Sequence, residues 1–350
     1  MKVESLKLKK FSVFYDVSLD FSKGLNVFIG ANATGKSHAM KLLYSILKTR
    51  EIAQQDHISE LSRIAARLKE KLAGVFQPDR KEPGRLVRRR VGRGSCKVVL
   101  ETSSGKFSFK LTRSGNLTVE SDSLENVKPS LFIPSREAVA MYHGFVDAYD
   151  KRELSFDETY SDLCKSLSGR LTRGPRLRQA AELVEPLEEI LGGKVSIEGG
   201  RFQVYSGDGI LEAHLLAEGF RKIAGLVHLI NNGSLMANGT LFWDEPEANL
   251  NPRLITQIAK TLRILADRGV QVFVATHDYL LSHELSLAVE YQTKPKAPTC
   301  FFAFQRDNSG AVTVQAGDTL ADLRHNPILD EFAAHYDRER DLYSKRGRGA

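Results

Sequence analysis

The sequence predicts an α/β protein built on a mixed sheet, and three observations predict it. A glycine-rich loop at 30–37 lies between an apolar run at 25–29 and a segment, 37–47, whose apolar residues recur at helical spacing. A second apolar run ends in two adjacent carboxylates at 244–245, and a third, at 270–275, runs into a histidine. Apolar strands that end in polar loops are typical of open α/β sheets, which bind their ligands at the carboxyl ends of the strands.

The loop at 30–37, Gly-Ala-Asn-Ala-Thr-Gly-Lys-Ser, is a complete phosphate-binding loop. Gly30 and Gly35 allow the backbone to bring successive N–H groups around a polyphosphate. Lys36 is expected to reach the terminal phosphates, and the Ser37 hydroxyl is expected to ligate Mg²⁺. The helix that follows places the phosphates at its N-terminus. The residues predicted to contact the nucleotide are Gly30, Ala31, Asn32, Ala33, Thr34, Gly35, Lys36, Ser37 and His38.

Asp244 and Glu245 close the second apolar strand. An Asp-Glu pair is commonly a solvated turn, but the preceding strand and the other motifs favour a catalytic interpretation. Asp244 is then expected to hold Mg²⁺, directly or through water, and Glu245 to polarise the attacking water. His277, at the end of the third strand, is expected to contact the γ-phosphate or to orient Glu245. The predicted catalytic residues are therefore Lys36, Glu245 and His277.

These motifs resemble, in their order and in the Glu-Ala-Asn-Leu-Asn-Pro stretch at 247–252, those of bacterial ABC-class ATPases of the AAA family that includes SMC, RecF and OLD proteins. The resemblance implies a P-loop NTPase of the ABC ATPase-head type, with a mixed sheet core, an antiparallel β subregion and an inserted helical lobe. It also implies ATP and Mg²⁺ as cofactors, hydrolysis of ATP to ADP and phosphate, and a homodimer or higher homo-oligomer.

The same resemblance assigns roles to two further segments. Residues 249–252 would be the D-loop, which crosses the dimer interface, and His277 would be the switch histidine. Residues 216–222 would be the signature segment, which opens a helix and touches the γ-phosphate of the partner subunit, so Gly219 and Glu218 would bind nucleotide in trans. Ala217 replaces the signature serine and Glu218 a glycine. Either this is a variant signature or the trans contact is weak.

The apolar run at 130–133 ends in Pro134-Ser135-Arg136-Glu137, where relatives carry the glutamine of the Q-loop. Two interpretations are open. Ser135 or Glu137 serves the metal through water while Arg136 contacts phosphate or a partner, or the segment is a strand end with a salt-bridged Arg-Glu pair.

Composition bounds the remaining possibilities. The 350 residues are 42% hydrophobic, which suffices for one large or two modest domains. No run is long and apolar enough to span a membrane and no signal peptide is recognisable, so we expect a soluble protein without a membrane partner. Cys96, Cys164 and Cys300 lack metal-ligand spacing, which favours a reducing cytoplasm.

The division of the chain follows from these patterns. We predict an ATPase core at 1–135 and 194–350, with a helical and basic insertion at about 50–95, and a helical lobe at 136–193. A single amphipathic helix over 52–72 is too short for an SMC-type coiled-coil arm. Further predicted elements are strands at 1–11, 97–101, 106–111, 300–304 and 311–315, a hairpin at 194–205 with a Gly199-Gly200 turn, helices at 138–191 broken at 169–175, and a helix at 327–343.

The formal net charge is +7, and the basic residues are clustered. These clusters either bind nucleic acid without sequence preference, or contact acidic proteins, or form a solvated face. Their members are Arg80, Lys81, Arg85, Arg88, Arg89, Arg90 and Arg93; Arg170, Arg173, Arg176 and Arg178; and Arg338, Arg340, Lys345, Arg346 and Arg348.

Relatives of the OLD type carry a nuclease domain after the ATPase, and the residues after His277 leave no room for one. The resemblance therefore implies control of a separate effector, a nuclease or toxin, in prokaryotic anti-phage defence. The alternatives are a RecF-like DNA-repair ATPase and a nucleotide-locked sensor or scaffold with negligible turnover.

Overall fold

The computed structural model describes residues 1–88, 94–142, 144–151, 154–169, 175–198, 201–207, 209–291, 297–307 and 310–347. The strands are β1 Val3–Lys9, β2 Asp16–Asp20, β3 Leu25–Gly30, β4 Ser95–Thr102, β5 Gly105–Thr112, β6 Leu117–Asp122, β7 Ser130–Ile133, β8 Gly193–Glu198, β9 Arg201–Ser206, β10 Gly209–Glu212, β11 Thr240–Asp244, β12 Gln271–Thr276, β13 Thr299–Arg306 and β14 Val312–Gly317. The helices are α1 Lys36–Gln55, α2 Leu61–Phe76, α3 Phe145–Asp150, α4 Glu158–Leu167, α5 Pro175–Leu191, α6 Glu218–Asn231, α7 Pro252–Asp267, α8 Tyr279–Glu290 and α9 Pro327–Gly347.

The central sheet has six strands in the order β14-β13-β3-β12-β11-β7. The five strands from β13 to β7 are parallel, and β14 adds an antiparallel edge. β3, β7 and β12 are buried along their whole length, as expected for parallel strands covered on both faces. The predicted mixed sheet is confirmed. Because its parallel strands share one carboxyl edge, the loops after β3, β7, β11, β12 and β13 meet there.

One face of the central sheet packs against a five-stranded antiparallel sheet, β2-β1-β4-β5-β6, with α1 and α2 in the shared core. Phe28, Phe273 and Phe302 line this core from the central sheet, and Val98 and Phe107 line it from the antiparallel one. The predicted antiparallel subregion is confirmed. α1, which carries the loop residues at its start, is thereby buried between two sheets.

The other face of the central sheet packs against α4 to α8 and a three-stranded sheet, β10-β9-β8. The helices predicted within 138–191 are confirmed as α3, α4 and α5, but residues 138–142 and 154–157 are not helical. Residues 170–174 of the predicted break lie outside the described residues. The predicted hairpin is confirmed as β8 and β9; its Gly199-Gly200 turn lies outside the described residues. The division into a core and a helical lobe stays a prediction.

The single helix predicted over 52–72 is wrong. α1 continues to Gln55, where the Ile58 N–H donates to the Ala53 carbonyl and His57 takes a left-handed φ of 54°. α2 then starts at Leu61 and turns its own apolar face to the core. Periodicity missed the turn because the apolar spacing carries across it. In the part of the chain that the structure describes, no helix combines the length and apolarity that crossing a bilayer requires.

Candidate nucleotide-binding site

The phosphate loop lies at the carboxyl edge of β3, and both of its glycines are required by geometry. Gly30 has φ 143°, and a Cβ there would lie 2.4 Å from the Phe304 carbonyl oxygen on the neighbouring strand β13. Gly35 has φ 97°, and a Cβ there would lie 2.6 Å from Val13. Larger residues at either position would displace the loop.

α1 begins directly behind this loop with no side-chain cap, because Gly35 occupies the cap position. The N–H groups of its first turn are therefore available to an anion. The Lys36 ammonium donates to the carbonyl oxygens of Gly30, at 2.6 Å, and Ala31, at 3.0 Å. Burial lowers the pKa of Lys36, and the carboxylates of Asp244 and Glu245 oppose that shift.

Ser37 and Asp244 meet as the sequence predicted. The Ser37 hydroxyl donates to Asp244 Oδ1 at 3.0 Å. Asp244 ends β11, and burial raises its pKa to about 6, although the Ser37 hydrogen bond acts in the opposite direction. A buried carboxylate beside a hydroxyl and facing a helix N-terminus is a suitable ligand pair for a hard cation.

Glu245 and His277 form the second predicted pair. His277 Nδ1 lies 3.2 Å from Glu245 Oε1, and the two side chains are 49% and 33% exposed. Glu245 has a φ of 47°, and its N–H donates to the Ala275 carbonyl at 2.9 Å. Such strained backbones persist at sites that the surrounding structure over-determines. Both side chains of the pair are accessible to solvent.

Glu247, which sequence reasoning missed, positions this pair from behind. The Thr276 hydroxyl donates to Glu247 Oε1 at 2.5 Å, and the His277 N–H approaches the same oxygen at 3.4 Å. Glu247 is buried, and burial raises its pKa. The only signal in the sequence was a third acidic residue close behind Asp244 and Glu245.

Lys222, a second residue that was missed, ties the predicted signature segment to residues 246–248, which lead into the predicted D-loop. The Lys222 ammonium is buried and donates to the carbonyl oxygens of Ala248, at 2.8 Å, and Pro246, at 3.1 Å. Glu218 Oε1 lies 3.6 Å from the same ammonium, one turn back along α6. The Glu218 charge is therefore offset by Lys222.

Gly219 fits tightly against the helix that follows the D-loop. A Cβ at Gly219 would lie 3.0 Å from a Leu254 methyl and 3.2 Å from Leu250. Ala217 is exposed and occupies the N-cap of α6 without a side-chain hydrogen bond. The start of α6 thus presents uncapped N–H groups outward, as its predicted role requires.

The segment after β7 contains an ion pair, but not the predicted one. Glu137 accepts from Arg221 Nε at 2.9 Å and from the Ala140 N–H at 3.2 Å, whereas Arg136 is exposed. The carboxylate of Glu137 is thus bound by Arg221 of α6, and its service to the metal through water stays a prediction. The prediction that Glu137 forms an arginine ion pair is confirmed, but its partner is Arg221 and not Arg136. Arg221 is remote in sequence, so the pattern could not identify it.

A cavity of about 480 Å³ adjoins the phosphate loop. His38 lies on it with Nδ1 2.5 Å from the Ser12 hydroxyl, and burial lowers the pKa of His38. Arg306, at the end of β13, also lines the cavity and donates to the Ala33 carbonyl at 2.5 Å. Arg306 was missed because only the fold brings β13 beside β3.

Four described arginines of the basic clusters have internal partners, whereas Arg80 is exposed. Arg85 pairs with Asp79 at 2.7 Å, and the Arg88 guanidinium donates to the Val13 carbonyl. Arg338 and Arg340 pair with acids of their own helix. The backbones of Arg89, Arg90, Arg93, Arg170, Arg173 and Arg348, and the side chains of Arg176, Arg178, Lys345 and Arg346, lie outside the described residues.

The family described as "AAA domain, putative AbiEii toxin, Type IV TA system" matches residues 25–282, which span the phosphate loop, the carboxylate pair and His277. The chain belongs to this family. The predicted resemblance to ABC-class ATPases of the AAA family is confirmed.

The fold is similar to that of a solved SMC head bound to the C-winged helix domain of ScpA, with a TM-score of 0.52 at 12% identity, covering 91% of this chain and 98% of that one. The predicted ABC ATPase-head fold is confirmed.

Curated relatives match over short stretches. The chain is 36% identical over 63 residues to the DNA replication and repair protein RecF of Lactococcus lactis subsp. cremoris, covering 18% of this chain and 17% of that protein. It is 40% identical over 50 residues to RecF of Streptococcus gordonii, covering 14% of each. The chain therefore spans less than a fifth of the RecF proteins that it matches.

Proposed function

We propose that this AAA family member binds Mg²⁺ and ATP at the carboxyl edge of the central sheet and hydrolyses the ATP. One observation carries the proposal. The Ser37–Asp244 pair joins the start of α1 to the end of β11, and the Glu245–His277 pair joins the residues that follow the adjacent strands β11 and β12, beside Lys36 and an uncapped helix N-terminus. Binding of an anion requires only the phosphate loop. The carboxyl edge of this sheet also carries a carboxylate and a histidine, which hydrolysis requires.

The residues present fit the nucleotide and the metal. The loop supplies uncapped N–H groups and a lysine for the phosphates. Ser37 and Asp244 would hold the cation, whose charge would offset the burial that raises the pKa of Asp244. When bound, Mg²⁺ neutralises charge on the phosphate oxygens.

Glu245 is placed to act on water. Water attacks the γ-phosphorus, the bond from that phosphorus to the ADP oxygen breaks, and Glu245 takes the proton of the attacking water. His277, 3.2 Å from Glu245, orients the carboxylate, and Glu247 in turn fixes the backbone of His277. The general base is thus held by two residues on two loops.

We further propose that a second copy of the chain completes the site. Glu245 and His277 are open to solvent, and the exposed start of α6 has uncapped N–H groups without a ligand of its own. In a head-to-tail dimer each of these features would face the other across the γ-phosphate. Lys36 and Gly219 of different protomers would then share each nucleotide.

The test is ATP turnover of the purified chain against Glu245→Gln, with Glu125→Gln, an exposed loop residue, as the matched control. Removal of a general base typically costs about 10²- to 10⁴-fold. We expect that loss in Glu245→Gln with nucleotide binding retained, and the wild-type rate in Glu125→Gln. Absence of Mg-ATP binding by the wild type, or unchanged turnover in Glu245→Gln, contradicts the proposal.

For the biological role, we propose control of a separate toxin or nuclease in anti-phage defence, supported by the toxin–antitoxin description of the family. A pull-down with the products of neighbouring genes, with and without ATP, tests it. If no such complex forms, either with ATP or without it, the proposed role is contradicted.

The RecF matches favour one alternative, a DNA-repair ATPase. It predicts hydrolysis that duplex DNA stimulates and that Arg89→Glu and Arg90→Glu reduce. Arg88 is unsuitable for this test because its guanidinium is bonded to the Val13 carbonyl. A third possibility, a nucleotide-locked scaffold, predicts an ATP-stabilised oligomer whose ATP stays intact over hours.

A further inference from the structure

The C-terminal helix α9 runs from the body of the protein past the nucleotide-binding edge. Before α9 begins, the Leu320 N–H donates to Ser286 in the second half of α8. Ile328, in the first turn of α9, is buried in the core. Phe332 then packs on Tyr279, the first residue of α8, with ring centroids 4.7 Å apart. α9 is therefore antiparallel to α8 and heads toward the edge that carries His277.

The part of α9 that follows Phe332 extends beyond this edge. At about 1.5 Å per residue it is about 22 Å long. Every described residue from 335 to 343 is exposed. A helix of this length has little stability in water unless a face is covered, so a surface outside the chain is expected to cover it.

The uncovered helix has an aromatic face. Leu329, Phe332, Tyr336 and Tyr343 recur at spacings that place them on one side of a helix, and Tyr336 and Tyr343 are 65% and 81% exposed. Leu342 is also exposed but lies about 100° away from Tyr343. Glu339 flanks the aromatic face and has no ion-pair partner among the described side chains. Tyrosines of this kind are enriched at protein interfaces.

A groove of complementary character lies beside the signature segment. This signature groove has a volume of about 640 Å³ and lies between the end of α5 and the starts of α6 and α7. Its walls include the apolar residues Ile190, Phe220 and Leu254. Arg253 and Lys260 are exposed on its rim, and neither has an ion-pair partner among the described residues.

We propose that α9 of one protomer docks into the signature groove of a second copy of this chain. This inference rests on the proposed head-to-tail dimer, in which the signature segment of the partner faces the edge that α9 overhangs. The aromatic face would contact the apolar walls, and Glu339 would pair with Lys260 of the partner subunit. Nucleotide binding and the docking of α9 are then coupled, because the groove includes Ala217 and Phe220 of the signature segment.

The experiment measures the dimer dissociation constant in Mg-ATP by sedimentation, on a Glu245→Gln background to prevent turnover. Tyr336→Ser combined with Tyr343→Ser should weaken the dimer by at least about 10-fold, as expected when two buried aromatics are lost. Leu342→Ser, equally exposed and off the aromatic face, is the matched control and should leave the constant unchanged. Lys260→Glu should also weaken the dimer, and Glu339→Lys added to it should restore affinity.

The outcomes separate this inference from the function on which it rests. ATP-dependent dimers of unchanged affinity in the double tyrosine variant would overturn the docking of α9 and leave the proposed function intact. Equal losses in the tyrosine variant and in Leu342→Ser would overturn it as well, because the loss would then be unspecific. If the parent protein forms no dimer in Mg-ATP, the composite site fails and the docking fails with it. Nucleotide affinity of the monomer should be the same in all variants.

Discussion

Two sides of the candidate site differ in how their polar groups are satisfied. On the phosphate-loop side, which comprises residues 30–38, the carboxylate pair and His277, charged groups are paired weakly or held in a costly environment, as with the raised pKa of Asp244 and the lowered pKa of Lys36. On the signature side, which comprises residues 217–222 and 246–251, Lys222 is bonded to two carbonyl groups and also lies 3.6 Å from the Glu218 carboxylate, whereas Lys36 has two carbonyl partners but no carboxylate at ion-pair distance among the described residues. The charged groups of the phosphate-loop side are therefore available to a ligand, whereas those of the signature side hold two segments of the chain together.

The difference implies separable effects of mutation. Substitutions on the phosphate-loop side should reduce nucleotide binding with little effect on folding. Substitutions on the signature side should reduce the free energy of unfolding, and turnover should fall because the D-loop moves. The following predictions test this separation, from the largest expected effect to the smallest.

Lys36→Ala should lower the affinity for ATP by about 100-fold or more, since truncating one member of a buried charge pair costs about 2–5 kcal/mol. Its melting temperature should fall less than that of Lys222→Met, because Lys36 donates to two carbonyl groups but has no carboxylate at ion-pair distance among the described residues, whereas Lys222 also has Glu218. Calorimetric titration with ATP and a thermal melt measure both quantities, with exposed Lys23→Ala as the control. Retained affinity in Lys36→Ala would contradict the assignment of the loop.

Lys222→Met should destabilise the protein by about 1.5–3 kcal/mol, because two carbonyl groups lose a charged donor and Glu218 loses its counter-charge. Lys69→Met, an exposed lysine of α2, should change stability by less than about 0.5 kcal/mol. Denaturant unfolding of both variants gives the comparison. Equal stabilities would show that the tether between the signature segment and the D-loop is unimportant.

Gly219→Ala should be neutral to destabilising by about 2 kcal/mol. Alanine gains about 1 kcal/mol of helix propensity, but overpacking against Leu254 and Leu250 costs about 1–3 kcal/mol. The same unfolding assay applies. A clear stabilisation would mean that α6 and α7 are not in close contact.

The smallest effect concerns His228, which attaches the signature helix to α4. His228 Nε2 lies 2.9 Å from the Leu167 carbonyl oxygen, and burial lowers the pKa of this histidine. A histidine with a lowered folded pKa contributes stability that is present above its unfolded pKa of about 6.5 and is lost as the pH falls toward the folded value. Stability should therefore fall more steeply below about pH 6.5 in the wild type than in His228→Gln. Parallel pH profiles in thermal melts would contradict this.

The sequence was sufficient where function rests on local chemistry. Gly30 to Ser37, the carboxylate pair and His277 are each defined by a strand and the residues directly after it, so the order of motifs predicted both the edge and the pairs that meet there. Even the unusual φ of Gly30 follows from the loop pattern.

What could not be predicted depends on contacts between distant segments. Lys222 reaches Ala248 just before the predicted D-loop, Arg221 reaches Glu137, and Arg306 reaches the phosphate loop only after the sheet has formed. The turn at 56–60 was missed for a different reason, since apolar spacing carried through it. Sequence patterns thus predict the residues that contact nucleotide and metal better than they predict the residues that position those groups.

The central claim is that a second copy of the chain completes each site, and mixing two inactive variants tests it most directly. Glu245→Gln removes the general base. Ala217→Glu places a negative charge at the exposed start of α6. That charge interacts favourably with the helix dipole, so α6 should stay folded, but it repels the phosphate of the partner. Each variant alone should be inactive. An equimolar mixture should recover about a quarter of the wild-type rate, since about half of the dimers are mixed and each of these has one intact site of two. A mixture that stays inactive, or an Ala217→Glu protein that is fully active alone, would contradict the composite site.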